Sequence, residues 1–202
     1  MFTEYEIESL IEIEKVRTAA FDLQKRFIKK EAPYLEITNQ DFLSLVLMAP
    51  TVGVALANGS VSFFEEMALN KKARKLSKGG YFLKKDPIVF ALKFLIAKYD
   101  EWELEFFKVI KIAMEESFDI HRLEKSNGGG DISLSAYRME VWNSPFILIR
   151  FIAAFFLNED EGIINTRNAN KTDFARIEDI GQKLGLGQIP VFRHFLQTFH
   201  VH

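Results

Sequence analysis

The residues whose types and spacing could bind a ligand are oxygen-bearing side chains beside a glycine turn. Asn58 can supply a carbonyl oxygen, and Glu65 or Glu66 a carboxylate, if the turn at Gly59 folds back over the start of the next helix. Ca²⁺ and Mg²⁺ both require oxygen ligands of this kind. The alternative needs no metal, because Ser62 can cap the helix while the two glutamates favour the positive end of its dipole.

A second candidate site is a basic run. No acidic residue lies between Glu66 and Asp86, and the run also contains Tyr81 and Phe82. Its positive side chains are Lys71, Lys72, Arg74, Lys75, Lys78, Lys84 and Lys85. The first five form a candidate patch for an anionic partner, such as phosphate, nucleic acid or an acidic membrane surface. The alternative is a set of cations at a helix C-terminus followed by a solvated loop.

Charge and motif content argue against several other functions. The net charge of −2 and the shortness of the basic run argue against nucleic acid as a partner. No histidine has an acidic residue three positions before it, so a di-iron site is not expected, and we expect the histidines at the surface or at helix ends. The four are His121, His194, His200 and His202. A Gly-x-Ser-x-Gly motif is lacking, and the glycines at 128–130 fit no phosphate-binding loop.

Composition describes the molecule that must position these groups. The chain has 202 residues, 48% hydrophobic and 27% charged, and no cysteine that could form a disulfide. The N-terminus is acidic, unlike a signal peptide, and the apolar runs fall short of the roughly 20 residues that a spanning helix needs. These features predict a soluble, cytoplasmic protein. The 20 phenylalanines predict mainly core packing, although they could also line a ligand cavity.

Hydrophobic spacing and capping residues predict one all-α domain over residues 1–202, a compact bundle of roughly seven to nine helices. Three- and four-residue spacings recur throughout, and no segment alternates at period two. The third helix can be capped by Ser60 or Ser62, and a glycine-rich loop is expected at 127–130. The predicted helices span approximately 4–32, 39–57, 63–76, 87–98, 100–123, 131–142, 144–157, 172–184 and 190–199.

Two helix–turn–helix units in this pattern resemble each other. In the first, a turn at Asn58-Gly59 is followed by Glu65 and, eleven residues later, by Leu76. In the second, a turn at 160–162 is followed by Asp173 and, eleven residues later, by Leu184. Gene duplication would explain the repetition, and so would two ordinary hairpins with the same turn chemistry.

These units are similar to the TerB-like family, the tellurite-resistance domain that also occurs in DjlA-type co-chaperones. The resemblance rests on Ala57-Asn58-Gly59-Ser60-Val61 with Glu65, and on the run Ile180–Leu186, and it covers about 40–77 and 145–200. It implies two pseudo-symmetric helical hairpins and a non-catalytic stress-response module that docks onto other proteins. It also implies a divalent cation such as Ca²⁺ or Mg²⁺. The residues implied as ligands are Asn58, Glu65, Glu66, Asp160, Glu161 and Asp173.

The chain departs from the family pattern at both turns. Asn58 stands where the family has an aspartate, which removes one negative charge. Twelve residues separate Glu161 from Asp173, against seven between Asn58 and Glu65, and this five-residue insertion should displace the second carboxylate. Two other interpretations remain open: a helical small-ligand-binding protein or enzyme with a Phe-lined apolar pocket, and a protein that contacts an anionic membrane peripherally through the basic patch.

Overall fold

The computed structural model describes residues 2–77, 86–124, 133–158 and 161–202, and within these ranges the all-α prediction is confirmed. The helices are α1 (Glu4–Glu12), α2 (Glu14–Glu31), α3 (Asn39–Ala55), α4 (Phe63–Leu76), α5 (Pro87–Ala97), α6 (Tyr99–Ser117), α7 (Ile120–Leu123), α8 (Leu134–Asn143), α9 (Phe146–Phe156), α10 (Lys171–Lys183) and α11 (Pro190–Gln197). Two short strands, β1 (Arg167–Ala169) and β2 (Phe199–Val201), form a small parallel sheet.

Helix α3 is the centre of the bundle. It begins where the Thr38 side chain accepts a hydrogen bond from the backbone N–H of Asp41, and from Phe42 to Ala55 its only polar side chains are Ser44 and Thr51. A helix that is apolar on every side must be surrounded by other helices. Accordingly, α1, α2, α4, α5, α6, α9 and α10 all pack against α3, and its residues from Gln40 to Pro50 are buried.

Phenylalanine rings fill the core around this helix. Phe27 packs against Phe106 and Trp102 with ring centroids 5.3 and 5.1 Å apart, and Phe151 packs against Phe155 at 5.6 Å. The completely buried rings are Phe27, Phe42, Phe106, Phe107, Phe151, Phe155, Phe192 and Phe195. The excess of phenylalanine therefore serves mainly as core, as its helical spacing predicts.

The structure divides two of the predicted helices, which raises the number of helices above the expected range. Ile13 takes an extended conformation between α1 and α2, so Ile7 of α1 and Val16 of α2 can both face the core. Phe118 is likewise extended, and the Asp119 side chain then caps the separate helix α7. Neither break contains a proline or a glycine, so the hydrophobic spacing of the sequence predicts a continuous helix at both places.

The C-terminal part of the chain also differs from expectation. The last helix ends at Gln197 rather than at Phe199, because 199–201 pair with 167–169 in the parallel sheet. The cap of α10 is Asn170 rather than Thr172, since the backbone N–H of Asp173 donates to Asn170 Oδ1 at 2.8 Å. The strands have three residues each, which is too short for an alternating pattern to show in the sequence. They also lie more than thirty positions apart, so no local signal predicts their pairing.

The two units that resemble each other in sequence pack differently. In the first, α4 packs directly on α3, its partner in the predicted hairpin. In the second, α9 and α10 each pack on α3, and the sheet strand β1 lies in the long connection between them. The predicted pseudo-symmetry therefore extends to the capping chemistry but not to the helix packing.

Among the described helices, none alone is both long and apolar enough to cross a membrane. Helices α8 and α9 satisfy that criterion only when taken together, and their axes are bent by 114°.

Candidate functional site

The structure brings together one residue from each of the two predicted turns. The side-chain Nδ2 of Asn58, after α3, donates a hydrogen bond to Oδ1 of Asp173, in the first turn of α10, at 3.2 Å. The sequence suggested both residues as metal ligands but gave no indication that they touch. We call this contact the Asn58–Asp173 corner.

Of the other predicted ligands that the structure describes, Glu65 caps its own helix, and Glu161 lies in the connection after α9. The backbone N–H of Ser62 donates to Glu65 Oε2 at 2.7 Å, which completes a capping box at the start of α4. Glu161 accepts in the same way from the backbone N–H of Asn158 at 3.2 Å. Glu66 is half-buried in the first turn of α4. Asp160 lies outside the described residues.

These arrangements bear on the fit of a divalent cation. Both carboxylate oxygens of Asp173 accept hydrogen bonds from amide groups, Oδ1 from Asn58 and Oδ2 from Asn170 at 2.9 Å. Within the described ranges, His, Asp and Glu form no group of three or more that could hold a metal ion. The described residues therefore join the two turns by hydrogen bonds. The cation stays a prediction.

A different polar cluster, which sequence reasoning missed, connects α6 to α10. Glu103 on α6 accepts from Arg176 Nη2 through Oε1 and from Lys183 Nζ through Oε2, both at 2.7 Å. Asp179 accepts from the same two cations at 2.8 Å. Glu103 is only 8% exposed. We call these four residues the Glu103 cluster; two positive and two negative charges make it neutral overall.

The Glu103 cluster is anchored to the central helix. Arg176 Nε donates to the carbonyl oxygen of Gly53 at 3.1 Å, and the Tyr99 hydroxyl donates to the carbonyl of Ala49 at 3.0 Å. A side chain at Gly53 would collide with Tyr99, because a Cβ there would lie 2.3 Å from the Tyr99 hydroxyl oxygen. The cluster thus holds α3, α6 and α10 in close contact.

Electrostatics within the Glu103 cluster favour the charged pairs. Burial alone would lower the pKa of Lys183, but its hydrogen bonds to Asp179 and Glu103 outweigh burial and raise the pKa above the usual value for lysine. Burial, together with the nearby Glu103 charge, raises the pKa of Tyr99. The sequence spacing places three charged residues on one side of α10: Arg176, Asp179 and Lys183. Their partner Glu103 lies more than seventy residues earlier in the chain, so no local sequence pattern predicts the cluster.

The predicted basic patch is divided by the structure. Lys71, Arg74 and Lys75 are exposed on α4. Lys72 is half-buried instead and donates to the Thr51 hydroxyl and to the carbonyl of Ala154, at 2.9 and 2.5 Å. Lys72 therefore connects α4 to α3 and α9 rather than joining an anion-binding surface. Lys78 and the rest of the basic run to Lys85 lie outside the described residues.

Large apolar side chains share the outer face of α4 with these cations. Phe63 is 71% exposed, Phe64 is 81% exposed and Met67 is 55% exposed. The two rings contact each other edge to face, with centroids 5.9 Å apart. This apolar surface was not among the sites predicted from the sequence. A helical wheel for α4 would have shown it, once Leu69, Ala73 and Leu76 were known to face the core.

A second exposed apolar surface lies at the bend between α8 and α9, which we call the α8–α9 corner. Its members are Leu134, Met139, Trp142 and Phe146, with exposed fractions of 53%, 62%, 88% and 70%. Arg150 lies over the Phe146 ring and makes two hydrogen bonds to Glu6, at 2.8 and 2.7 Å. Tyr137, on the opposite side of α8, is buried and donates to the carbonyl of Ile163.

The histidines occupy different environments. His121, His200 and His202 are exposed. His194, in the last turn of α11, is only 4% exposed, stacks edge to face on Tyr137, and approaches Gln197 through Nδ1 at 3.2 Å. The helix-end position agrees with expectation, but the burial of His194 does not, because the sequence gave no sign that α8 would cover it.

Comparison of the chain with protein-family models, with curated proteins and with solved structures finds no match. The similarity to TerB-like proteins therefore rests on the sequence motifs alone.

Proposed function

We propose that this protein is a non-catalytic stress-response module of the TerB-like kind, which acts in the cytoplasm by docking onto other proteins. The observation that carries the proposal is the α8–α9 corner, where four large apolar side chains are exposed beside a closely packed core. Large apolar side chains that stay exposed in one region of a folded protein mark interaction sites.

The residue types at the α8–α9 corner support a protein partner. Tryptophan, phenylalanine and methionine are enriched in protein interfaces, and tryptophan in particular dominates binding energy. Trp142 and Phe146 are presented by a fixed framework, because Tyr137 and Arg150 tie α8 and α9 to the rest of the molecule. A rigid surface loses little conformational freedom on binding.

The polar clusters support a non-catalytic role. The charges of the Glu103 cluster are neutralised by one another, and its geometry connects three helices. The Asn58–Asp173 corner likewise joins two turns through hydrogen bonds. In both places the hydrogen bonds hold structure together, and this is the role we assign to these polar residues.

The test of the proposal is a comparison of two exposed-residue variants in cells challenged with tellurite. Trp142→Ser combined with Phe146→Ser should abolish chemical cross-linking of the protein to its partners and reduce survival to that of cells lacking the chain. The control is Leu104→Ser, since Leu104 is 58% exposed on α6, outside the α8–α9 corner. Equal cross-linking and survival for the double variant and the native chain, with unchanged unfolding midpoints, would contradict the proposal.

Cation sensing at the turns is a separable part of the proposal. Calorimetric titration with Ca²⁺, Mg²⁺, Mn²⁺ and Zn²⁺ tests it on the full chain. Binding should release or absorb heat and raise the unfolding temperature, because a ligand that binds only the folded state stabilises it. Titrations without heat and without a shift in unfolding temperature would remove the cation from the proposal.

The alternative of a small-ligand-binding protein is favoured by one specific feature. A groove of about 530 Å³ runs between the loop after α2 and helix α5, and its aromatic lining includes Tyr34, Phe90 and Phe94. An apolar fluorescent dye should bind there if the alternative is correct. Phe94→Ala should then weaken binding of the dye, whereas Trp142→Ser should not.

A further inference from the structure

The outer face of α4 combines apolar and basic side chains without an acid among them. At 100° per residue, the exposed positions of α4 occupy a continuous arc of about 140°. The exposed residues of this helix are Phe63, Phe64, Met67, Ala68, Lys71, Arg74 and Lys75. The two glutamates of the helix, Glu65 and Glu66, lie outside this arc and are half-buried. We call the seven residues the α4 face.

The two kinds of side chain are separated along the helix. Phe63, Phe64 and Met67 lie in its N-terminal half, and the three cations lie in its C-terminal half. The aromatic rings project from the surface, at 71% and 81% exposure. Beside the cations, a shallow groove of about 550 Å³ includes Met67, Asn70 and Lys71 in its lining.

From this arrangement we infer that the α4 face docks on an anionic phospholipid bilayer. The projecting phenylalanines enter the interface between headgroups and acyl chains, while Lys71, Arg74 and Lys75 contact lipid phosphates. Amphipathic helices that lie on membranes combine the same two contributions, burial of apolar side chains and attraction of Lys and Arg to anionic lipid.

Charge complementarity favours the α4 face, rather than the α8–α9 corner, as the surface that contacts lipid. The α4 face carries three cations and no carboxylate, so it complements a dense layer of negative charge. The α8–α9 corner carries both signs of charge beside its apolar residues, with Arg138 and Glu140 on α8 and Arg150 on α9. The inference therefore concerns a different surface from the one in the proposed function, and either can fail without the other.

The experiment is co-flotation of the full chain with vesicles of phosphatidylcholine containing phosphatidylserine, against vesicles of phosphatidylcholine alone. Each cation near an anionic surface contributes about 1 kcal/mol, or about fivefold in affinity. Lys71→Gln, Arg74→Gln and Lys75→Gln together should weaken binding to the anionic vesicles by about a hundredfold. Raising the salt concentration should have the same direction of effect, because salt screens the attraction.

The matched charge control removes three exposed cations from another helix. Arg17→Gln, Lys25→Gln and Lys29→Gln on α2 change the net charge by the same amount and should leave vesicle binding close to that of the native chain. Phe63→Ser with Phe64→Ser should weaken binding by about tenfold or more, since the buried aromatic area is lost. Trp142→Ser with Phe146→Ser should leave it unchanged. Unfolding midpoints establish that every variant is folded.

Three results would overturn the inference. The first is equal recovery of the native chain with anionic and with neutral vesicles. The second is an equal loss for the α4 and the α2 charge variants, which would indicate attraction by net charge without a specific face. The third is binding that persists in the Phe63→Ser, Phe64→Ser variant at native strength. The first result includes the absence of binding to either kind of vesicle, which would leave an acidic protein as the partner of this face.

Discussion

The two turns that look alike in sequence differ in what surrounds them. The first turn, from Asn58 to Glu65, is short and leads into α4, whose outer face is exposed. The second, from Asn158 to Asp173, contains β1 and leads into α10, whose inner face is held by Gly53 and the Glu103 cluster. In both units the N-cap side chain accepts a hydrogen bond from the backbone N–H of the third helical residue. Similar capping residues can therefore begin a helix with an exposed outer face, as in α4, and a helix that connects other helices, as in α10.

The largest expected difference comes from the carboxylate that supports the second helix of each unit, Glu103 of α6 for α10 and Glu65 for α4. Glu103→Gln would leave Arg176 and Lys183 short of a charged acceptor in a largely buried site, and we expect a loss of about 3 kcal/mol in the free energy of unfolding. Glu65→Gln in the first unit should lower it by less than about 1 kcal/mol, because Glu65 only completes a capping box. Urea denaturation measures both. Equal losses would show that the Glu103 cluster does not hold α10.

A close contact behind α10 gives the second prediction. A Cβ at Gly181 would lie 2.2 Å from Cζ of the fully buried Phe192. Gly181→Ala should therefore destabilise the fold by about 1–2 kcal/mol, despite the better helix propensity of alanine. Adding Phe192→Leu should recover part of the loss, and a double-mutant cycle by urea denaturation measures the coupling. Strict additivity would contradict the contact.

The helix caps should respond equally in the two units. Ser62→Ala at α4 and Asn170→Ala at α10 each remove a side chain that accepts a hydrogen bond from the first helical turn. We expect each to lower the free energy of unfolding by about 1 kcal/mol. Thermal unfolding of the two variants checks this. A loss confined to one of them would show that the shared capping chemistry does not make equal contributions.

The smallest expected effect is at the contact between the two turns. Asn58→Asp would replace an amide donor by a carboxylate next to Asp173 and should destabilise the protein by about 0.5 kcal/mol, because the pair is partly exposed. Added monovalent salt should reduce the loss by screening. Ca²⁺ should reverse it if the turns bind a cation, and Asn58→Ser is the uncharged control. A more stable Asn58→Asp variant in the absence of divalent cations would contradict the repulsion.

Most of the helices could be predicted because their signals are local. Thr3 with Glu6 and Ser62 with Glu65 are capping boxes in sequence and in structure, and Asp86-Pro87 begins α5 as expected. The breaks at Ile13 and Phe118 could not be predicted, since both residues are extended at positions where no proline or glycine interrupts the helical spacing.

Less of the candidate sites than of the helices could be predicted from the sequence. The position of Lys71, Arg74 and Lys75 on one exposed face follows from helical spacing, but the inward direction of Lys72 depends on Thr51 and Ala154, which belong to other helices. The Glu103 cluster depends in the same way on groups far apart in the chain. Contacts between distant segments leave no periodic signal in either segment.

By itself, the sequence determined the helical class, the starting points of most helices, and the capping chemistry that the two turns share, because each depends on hydrogen bonds within a few residues. Only the tertiary structure decided that Asn58 meets Asp173, that Glu103 links α6 to α10, and that Phe63 and Phe64 remain exposed. Those outcomes follow from how the helices pack around α3, where long-range apolar burial overrides local preference.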